Sequence, residues 1–334
     1  MNIMVIGLGS MGKRRIRLLK QYIDKEIPES EKNRWAICGV DLNDTRRDEA
    51  EKQFDINVYG NIEEAVAGGN IEVAVISTAP LSHASIIKEC LNLGLHVFTE
   101  INLVDDGYDE NVKIAGEKGK ILFLSSTPIY RREMQYITKE ARERGFCGTY
   151  RYHIGQYLPE WHPWENYKDY FVGDKRTNGC REIFAIELPW LTRAYGKIEE
   201  CYSIHNKTTE LELDYDDTYQ VILRHETGVI GSLTVDVATP KTERLFSAWE
   251  EDYYLEWNGT PDSFRKMDVK AKEIREVGLY DDIEHVEGYN SFVVENAYYD
   301  ELKCFISCID ENRQPDYSFQ EDRNILKLID EIMK

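Results

Sequence analysis

Residues 2–16 read NIMVIGLGSMGKRRI: a short apolar strand, a glycine turn, and the start of an amphipathic helix. The turn, Gly7-Leu8-Gly9-Ser10-Met11-Gly12, is a GxGxxG in the setting that gives the pattern meaning: strand before it, helix after it, and a second strand beyond. Gly7 permits the tight turn and Gly9 lets backbone approach a pyrophosphate. Gly12 lets the helix pack close to the sheet, so that its first amides face the phosphates. The second strand, WAICGVD, closes on Asp41, which lies 41 − 12 = 29 residues beyond the last glycine. The usual interval is about 20; a long first helix and the polar excursion EIPESEKN account for the excess. A carboxylate at that strand tip accepts hydrogen bonds from ribose hydroxyls and repels a 2′-phosphate. The expected cofactor is therefore NAD, with NADP disfavoured. Arg46 and Arg47 follow closely and read as solvated helix charges.

Outward from this turn, strand and helix patterns alternate as far as residue 126. Apolar runs at NIMVIG, RWAICGVD, IEVAVIST, LHVFTE and KILFLSS are separated by amphipathic stretches at 10–25, 43–54, 61–67, 81–93 and 107–118. Such alternation predicts a parallel sheet covered on both faces. Then the grammar changes. A helix at about 129–145 precedes the Tyr-rich strand GTYRYHIGQYL and an aromatic loop. A further helix follows, capped by Thr177 or Asn178 and ending at Gly196. Alternating segments fill 198–257, and helices at roughly 291–311 and 319–333 close the chain. The predicted fold class is α/β: an N-terminal Rossmann doubly wound parallel sheet (1–126) plus a C-terminal α+β domain (127–334) with an open, largely antiparallel sheet. That second domain is assigned to substrate binding and oligomerisation.

The length of 334 residues suits about two domains. With 41 basic and 61 acidic residues, the net charge of −20 argues against nucleic acid and anionic membrane as partners. No 18-residue apolar run is present, and the first residues lack the order of a signal peptide, their positive charges following the apolar run. The 7 cysteines are odd in number and without framework spacing, so a reducing, cytoplasmic location is expected. Cys304 and Cys308, four apart on a helix, read as core residues, and no metal is expected.

With these residues placed, the chain resembles the glucose–fructose oxidoreductase / inositol dehydrogenase (Gfo/Idh/MocA) family. The resemblance runs through the glycine turn, Asp41, the stretch ISTAPLSHASIIKECLNLGLHVFTE, the segment SSTPIYRRE, and the two terminal helices. It implies a nicotinamide cofactor held by Gly7 to Gly12, Asp41, Thr78, Pro80, His83 and Glu100, a sugar or polyol substrate, and oligomers formed through the open sheet. Two departures stand out. The family's Glu-Lys-Pro after the fifth strand is here Glu100-Ile101-Asn102, without the lysine that binds the reacting hydroxyl. The family's helix motif, Gly-Gly-x-x-x-Asp-x-x-x-His, corresponds to TNGCREIFAIELPW, which puts Ile183 at the aspartate and Glu187 at the histidine, to within one residue.

A hydroxyl oxidised by hydride loss needs a group for its proton. Glu187, in the apolar context IFAIELPWL, is the first candidate, and pairing with Arg181 or Arg193 is its structural alternative. Glu182 follows if the register slips, then His153 and Tyr157 of the strand RYHIGQYL. Asn102 is a hydrogen-bonding candidate for a substrate hydroxyl. Trp161, His162, Trp164, Lys168 and Arg181, in and after the loop PEWHPWENYKDYFVGDKR, offer aromatic faces and cations to a sugar or its phosphate. The leading expectation is an NAD(P)-dependent oxidoreductase acting on a sugar, sugar phosphate or nucleotide sugar, as a homodimer or homotetramer. The alternatives are an epimerase, lyase or hydrolase using tightly held NAD, and a catalytically silent dinucleotide-binding protein.

Overall fold

Short apolar runs build the first sheet: β1 (Asn2–Ile6), β2 (Ala36–Val40), β3 (Asn57–Tyr59), β4 (Val73–Ile76), β5 (His96–Thr99) and β6 (Leu122–Leu124). They lie in the order β3-β2-β1-β4-β5-β6, with every pair parallel. Between them run α1 (Ser10–Glu26), α2 (Asp44–Phe54), α3 (Ile62–Gly68), α4 (His83–Asn92) and α5 (Tyr108–Lys118). The strand order reverses between β1 and β4, the place where doubly wound sheets bind their ligands. β4 is buried at all four residues, as a strand with both faces covered must be. One face packs Met4, Ile6, Ala74, Ile76 and Val97 against Ile87, Cys90 and Leu91 of α4. β3, only three residues long, carries too little alternation to be read from sequence.

The computed structural model describes residues 1–163, 165–284 and 292–334. The chain forms two units: Met1–Ser126 with Tyr298–Asp322, and Thr127–Ala297 with Arg323–Lys334. Tyr298–Asp322, placed by the sequence reading with the second domain, thus packs in the first. The reason is aromatic: Phe305 of α8 (Glu295–Asp310) meets Phe98 and Phe123 edge-on, each at 5.5 Å. Residue 291, where that helix was expected to open, lies outside the described residues.

In the second unit, α6 (Arg132–Arg144) and α7 (Gly179–Tyr195) pack against an eight-stranded sheet. Its strands are β7 (Thr149–Gly155), β8 (Ile198–Asn206), β9 (Thr218–His225), β10 (Ile230–Asp236), β11 (Glu243–Glu250), β12 (Tyr253–Trp257), β13 (Arg265–Asp268) and β14 (Glu273–Glu276). The order is β14-β13-β12-β11-β7-β10-β9-β8, antiparallel throughout except for β7 with β10. The expected alternating strands are present; β11, β13 and β14 were not anticipated. Asn178 caps α7, its side chain accepting from the Arg181 amide, as anticipated. The covered face is aromatic: Tyr150 stacks on Tyr195 at 5.0 Å, and Tyr152 meets Trp190 edge-on at 5.6 Å. Register puts Ile204, Gln220, Thr234, His153 and Leu245 in one row across the opposite face. A neighbouring row runs Tyr202, Ile222, Ser232, Arg151 and Ser247. No helix among the described residues is long and apolar enough to cross a membrane.

Candidate functional site

The glycine turn divides its labour. Gly7 has φ +91°, and a Cβ there would stand 2.6 Å from the Ser77 carbonyl oxygen. At Gly12 a Cβ would stand 1.8 Å from the Gly7 carbonyl oxygen. Both glycines are thus required by the chain's own packing. Gly9 is different: a Cβ there meets nothing nearer than the Arg46 guanidinium at 4.0 Å. Gly9 is the N-cap of α1, with no side chain capping the helix and no acidic residue in its first turn. Those first-turn amides seek acceptors and carry the positive end of the helix dipole. The space over Gly9 beside them suits an anion.

Asp41, directly after β2, is largely buried. Its Oδ2 accepts from the Leu8 amide at 2.7 Å and its Oδ1 from the Asn43 amide at 2.8 Å. Each oxygen keeps a second lone pair for a ribose hydroxyl. Arg46 reaches to 4.0 Å from Asp41 Oδ2, while Arg47 donates to the Asp41 carbonyl at 2.6 Å. Ser10 is exposed beside Met11, whose sulfur meets Arg14 at 2.9 Å, and Leu8 is fully buried. At the ends of β4 and β6, the Thr78 hydroxyl meets that of Ser82 at 2.8 Å, Pro80 is buried, and the buried Ser126 Oγ has no partner among the described residues. The open space over Gly9, the first-turn amides and the Asp41 carboxylate fit a dinucleotide.

His83 and Glu100 have other occupations. His83 is buried, its Nε2 2.9 Å from the Thr78 carbonyl and its Nδ1 2.6 Å from the Asn102 carboxamide. Burial lowers its pKa, against the hydrogen bonds to Asn102 and Thr78, which raise it. The Thr78 carbonyl accepts from Nε2, and the oxygen that faces Nδ1 is Asn102 Oδ1, also an acceptor. Both nitrogens serve the fold, and Asn102, itself buried, is committed to His83 rather than open to a substrate hydroxyl. Glu100 is gripped by Arg15, with Nε to Oε1 at 2.6 Å and Nη2 to Oε2 at 2.9 Å. Arg15 Nη2 also binds Glu301 Oε2 at 2.8 Å, and Glu301 Oε1 accepts from the Ser126 amide at 2.8 Å. Burial opposes the charge on Arg15, but the two carboxylates hold its pKa above the ordinary range. Burial raises Glu301 against the pull of Arg15. Nothing in the local sequence distinguishes Arg15 from its basic neighbours Lys13, Arg14 and Arg17.

In the second unit the first proton-transfer candidate is committed to partners within the fold. Glu187 is completely buried, its Oε2 accepting from Tyr152 OH at 2.8 Å and Trp190 Nε1 at 2.7 Å, with Arg244 2.7 Å from Oε1. Its ion-pair partner is Arg244 rather than Arg181 or Arg193. Arg181 instead pairs with Asp330 at 2.6 Å, which leaves Glu187 to a strand that sequence reading missed. His153 lies on the opposite face of the sheet from Glu187. Its Nε2 is 2.7 Å from Asp236 Oδ2, and its Nδ1 is 3.7 Å from Glu243. Burial works against the Asp236 charge, yet hydrogen bonds from His153, Thr239 and Ala238 lower its pKa. Tyr157 lies beyond the end of β7 and does not share a strand face with His153.

In the aromatic loop, Trp161 Nε1 donates to the Gln156 carbonyl at 3.2 Å, and His162 stacks on Tyr170 at 4.7 Å with its Nδ1 2.6 Å from Glu165. Lys168 is paired with Glu212. Trp164 lies outside the described residues. Glu182, in the first turn of α7, stands apart: its Oε2 is buried without a hydrogen bond among the described residues, and burial pushes its pKa up to about 7. Among the described residues no group of three His, Cys, Asp or Glu side chains could hold a metal ion.

A parallel sheet with this turn at its switch point defines a dinucleotide-binding unit of the doubly wound class, here joined to an α+β unit with an open sheet. Residues 1–126 match the Gfo/Idh/MocA family model, described as "Oxidoreductase family, NAD-binding Rossmann fold". Over 227 residues it is 25% identical to the trans-1,2-dihydrobenzene-1,2-diol dehydrogenase of Mus musculus, a match covering 64% of this chain and 63% of that protein. The chain thus spans less than two thirds of that relative. In fold it is similar to a levoglucosan dehydrogenase solved with NADH (TM-score 0.79, 16% identity, 100% and 95% of the two chains). It is likewise similar to an Agrobacterium radiobacter oxidoreductase solved with NAD+, L-tartaric acid and magnesium (TM-score 0.80, 12% identity, 98% and 94%).

Proposed function

We propose that the protein is an NAD-linked dehydrogenase that interconverts a hydroxyl and a keto carbon on a sugar or related polyol. The carrying observation is the contrast among the glycines. Gly7 and Gly12 are closed by backbone, while Gly9 opens onto free space at an uncapped helix start. Gly7 to Gly12 would hold the pyrophosphate and Asp41 the adenosine ribose. The second unit, with its aromatic loop and the half-buried Glu182, is assigned to the sugar. The fold likeness to a levoglucosan dehydrogenase solved with NADH supports this reading. Titration with NAD and NADP, followed by protein fluorescence, tests it. Wild type should prefer NAD, Asp41→Ala should narrow the gap between the two dinucleotides, and Gly9→Val should bind neither while both units stay folded. Equal or tighter binding of NADP by wild type would overturn the cofactor assignment.

A second reading is favoured by one observation. Ile101 stands where the family places its lysine, and Glu187 is locked away, so a tightly held dinucleotide cycling within one turnover is the competing chemistry. Mass spectrometry of the denatured protein separates the two, because stoichiometric copurifying NAD with no net NADH release identifies the cycling enzyme.

A further inference from the structure

Buried polar atoms without partners are uncommon, since each costs about 1–3 kcal/mol in lost solvation. Among those in the second unit are two that lie within electrostatic reach of each other. Glu182 Oε2 and Tyr170 OH are both buried with no hydrogen bond among the described residues, and the Tyr170 pKa is raised by burial first and then by the Glu182 charge. The surroundings are built and aromatic. His162 lies over the Tyr170 ring at 4.7 Å with 21° between planes, and Phe171 meets that ring edge-on at 5.7 Å. The Trp161 ring edge comes within 3.5 Å of the position a Gly179 Cβ would take. Neighbouring charges are already satisfied: Arg181 by Asp330, Lys168 by Glu212, and Glu165 by His162. Tyr215, also close to Tyr170, donates to the Val172 carbonyl at 2.8 Å. What is left open is one carboxyl oxygen and one phenol.

We propose that Glu182 and Tyr170 form a two-point binding site for a single oxygen of a polyhydroxylated ligand, a hydroxyl in one redox state and a carbonyl in the other. The site deepens the proposed function and rests on its assignment of the sugar to the second unit. A hydroxyl donates to Glu182 as carboxylate and accepts from Tyr170; a carbonyl accepts from Tyr170 and from Glu182 as acid. Burial alone raises the Glu182 pKa to about 7, and no cationic neighbour contributes to the shift, so both forms coexist near neutrality. The family's acid–base positions, Ile183 and Glu187, do not provide this. Ile183 has no ionisable group, and Glu187 is held by hydrogen bonds from Tyr152 and Trp190 and by its ion pair with Arg244.

The test uses infrared difference spectroscopy on the full chain, with and without NAD, and with levoglucosan, myo-inositol and D-glucose as probes. The C=O stretch of a protonated carboxyl should titrate near pH 7 in wild type and vanish from that range in Glu182→Gln. At least one probe should lower its midpoint by about one unit, because the bound hydroxyl favours the carboxylate. Tyr170→Phe should weaken that probe by about tenfold, the loss of one buried hydrogen bond, with its melting temperature confirming the fold. Three results would each overturn the site: no carboxyl titrating near neutrality; a titrating carboxyl that no probe moves, which assigns the space to a buried water; or unchanged probe affinity in both variants. NADH absorbance read in the same samples separates this claim from the function. A probe that moves the midpoint without NADH from any sugar refutes the dehydrogenase but not the site. NADH formed equally by wild type and Glu182→Gln refutes the site but not the dehydrogenase.

Discussion

Two glutamates five positions apart on α7 have opposite fates, and the contrast yields two predictions. Glu187 is held by two donors and Arg244. Glu187→Gln should cost on the order of 3 kcal/mol in urea unfolding, because it removes one member of a buried ion pair. Dinucleotide affinity should be unchanged, whereas an equally stable variant would refute the structural assignment. Glu182 is raised from 4.5 to about 7 by burial. In the folded state it binds its proton more tightly than in the unfolded chain. Stability from this group is therefore complete below about pH 4.5, declines as pH rises toward 7, and is lost above it, a span of up to about 3 kcal/mol. Subtracting the pH–stability curve of Glu182→Gln from that of wild type should isolate this decline, and a flat difference would contradict it.

At the scale of elements, the ends of β5 and β6 and the bodies of α1 and α8 meet on one guanidinium. Arg15 is fully buried, doubly bonded to Glu100 and bonded to Glu301, with its plane 4.4 Å over the Phe98 ring. Arg15→Met should destabilise the first unit by about 3–5 kcal/mol, since two buried carboxylates lose their shared cation. Far-ultraviolet circular dichroism in urea should show the transition moving to lower denaturant. A shift under 1 kcal/mol would mean that water or protonation compensates. The retained glutamate at position 100 is thus explained by a partner 85 residues away in sequence. Sequence reading could place Glu100 at a strand tip but could not see what Arg15 does there.

For the whole molecule, the open sheet face raises the question of assembly. Ile204 is 80% exposed, Tyr202 67% and Ile222 49%, in adjacent rows of one face. Contiguous exposed apolar side chains on a sheet mark an association surface. Light scattering at micromolar concentration should give two or four times 39.0 kDa. Replacing Ile204 and Tyr202 together by lysine should shift the protein toward monomer without loss of dinucleotide binding. A wild-type mass of one chain would refute it.

Local sequence was enough for the parallel sheet, the glycine turn, Asp41 and the helix cap at Asn178. Each depends on periodicity or on residues within one turn of the chain, where the backbone's own sterics and hydrogen bonds decide the outcome. The fate of each ionisable group was decided elsewhere. Glu187 met Arg244 of a strand too weakly alternating to be recognised, Arg15 met Glu301 across most of the chain, and His153 fell on the face opposite Glu187 through strand register alone. A carboxylate becomes a structural anchor or a proton-exchanging group according to which donors long-range folding brings to it, and how much water it leaves. Those partners are separated by tens to hundreds of residues, so only the tertiary structure could assign them.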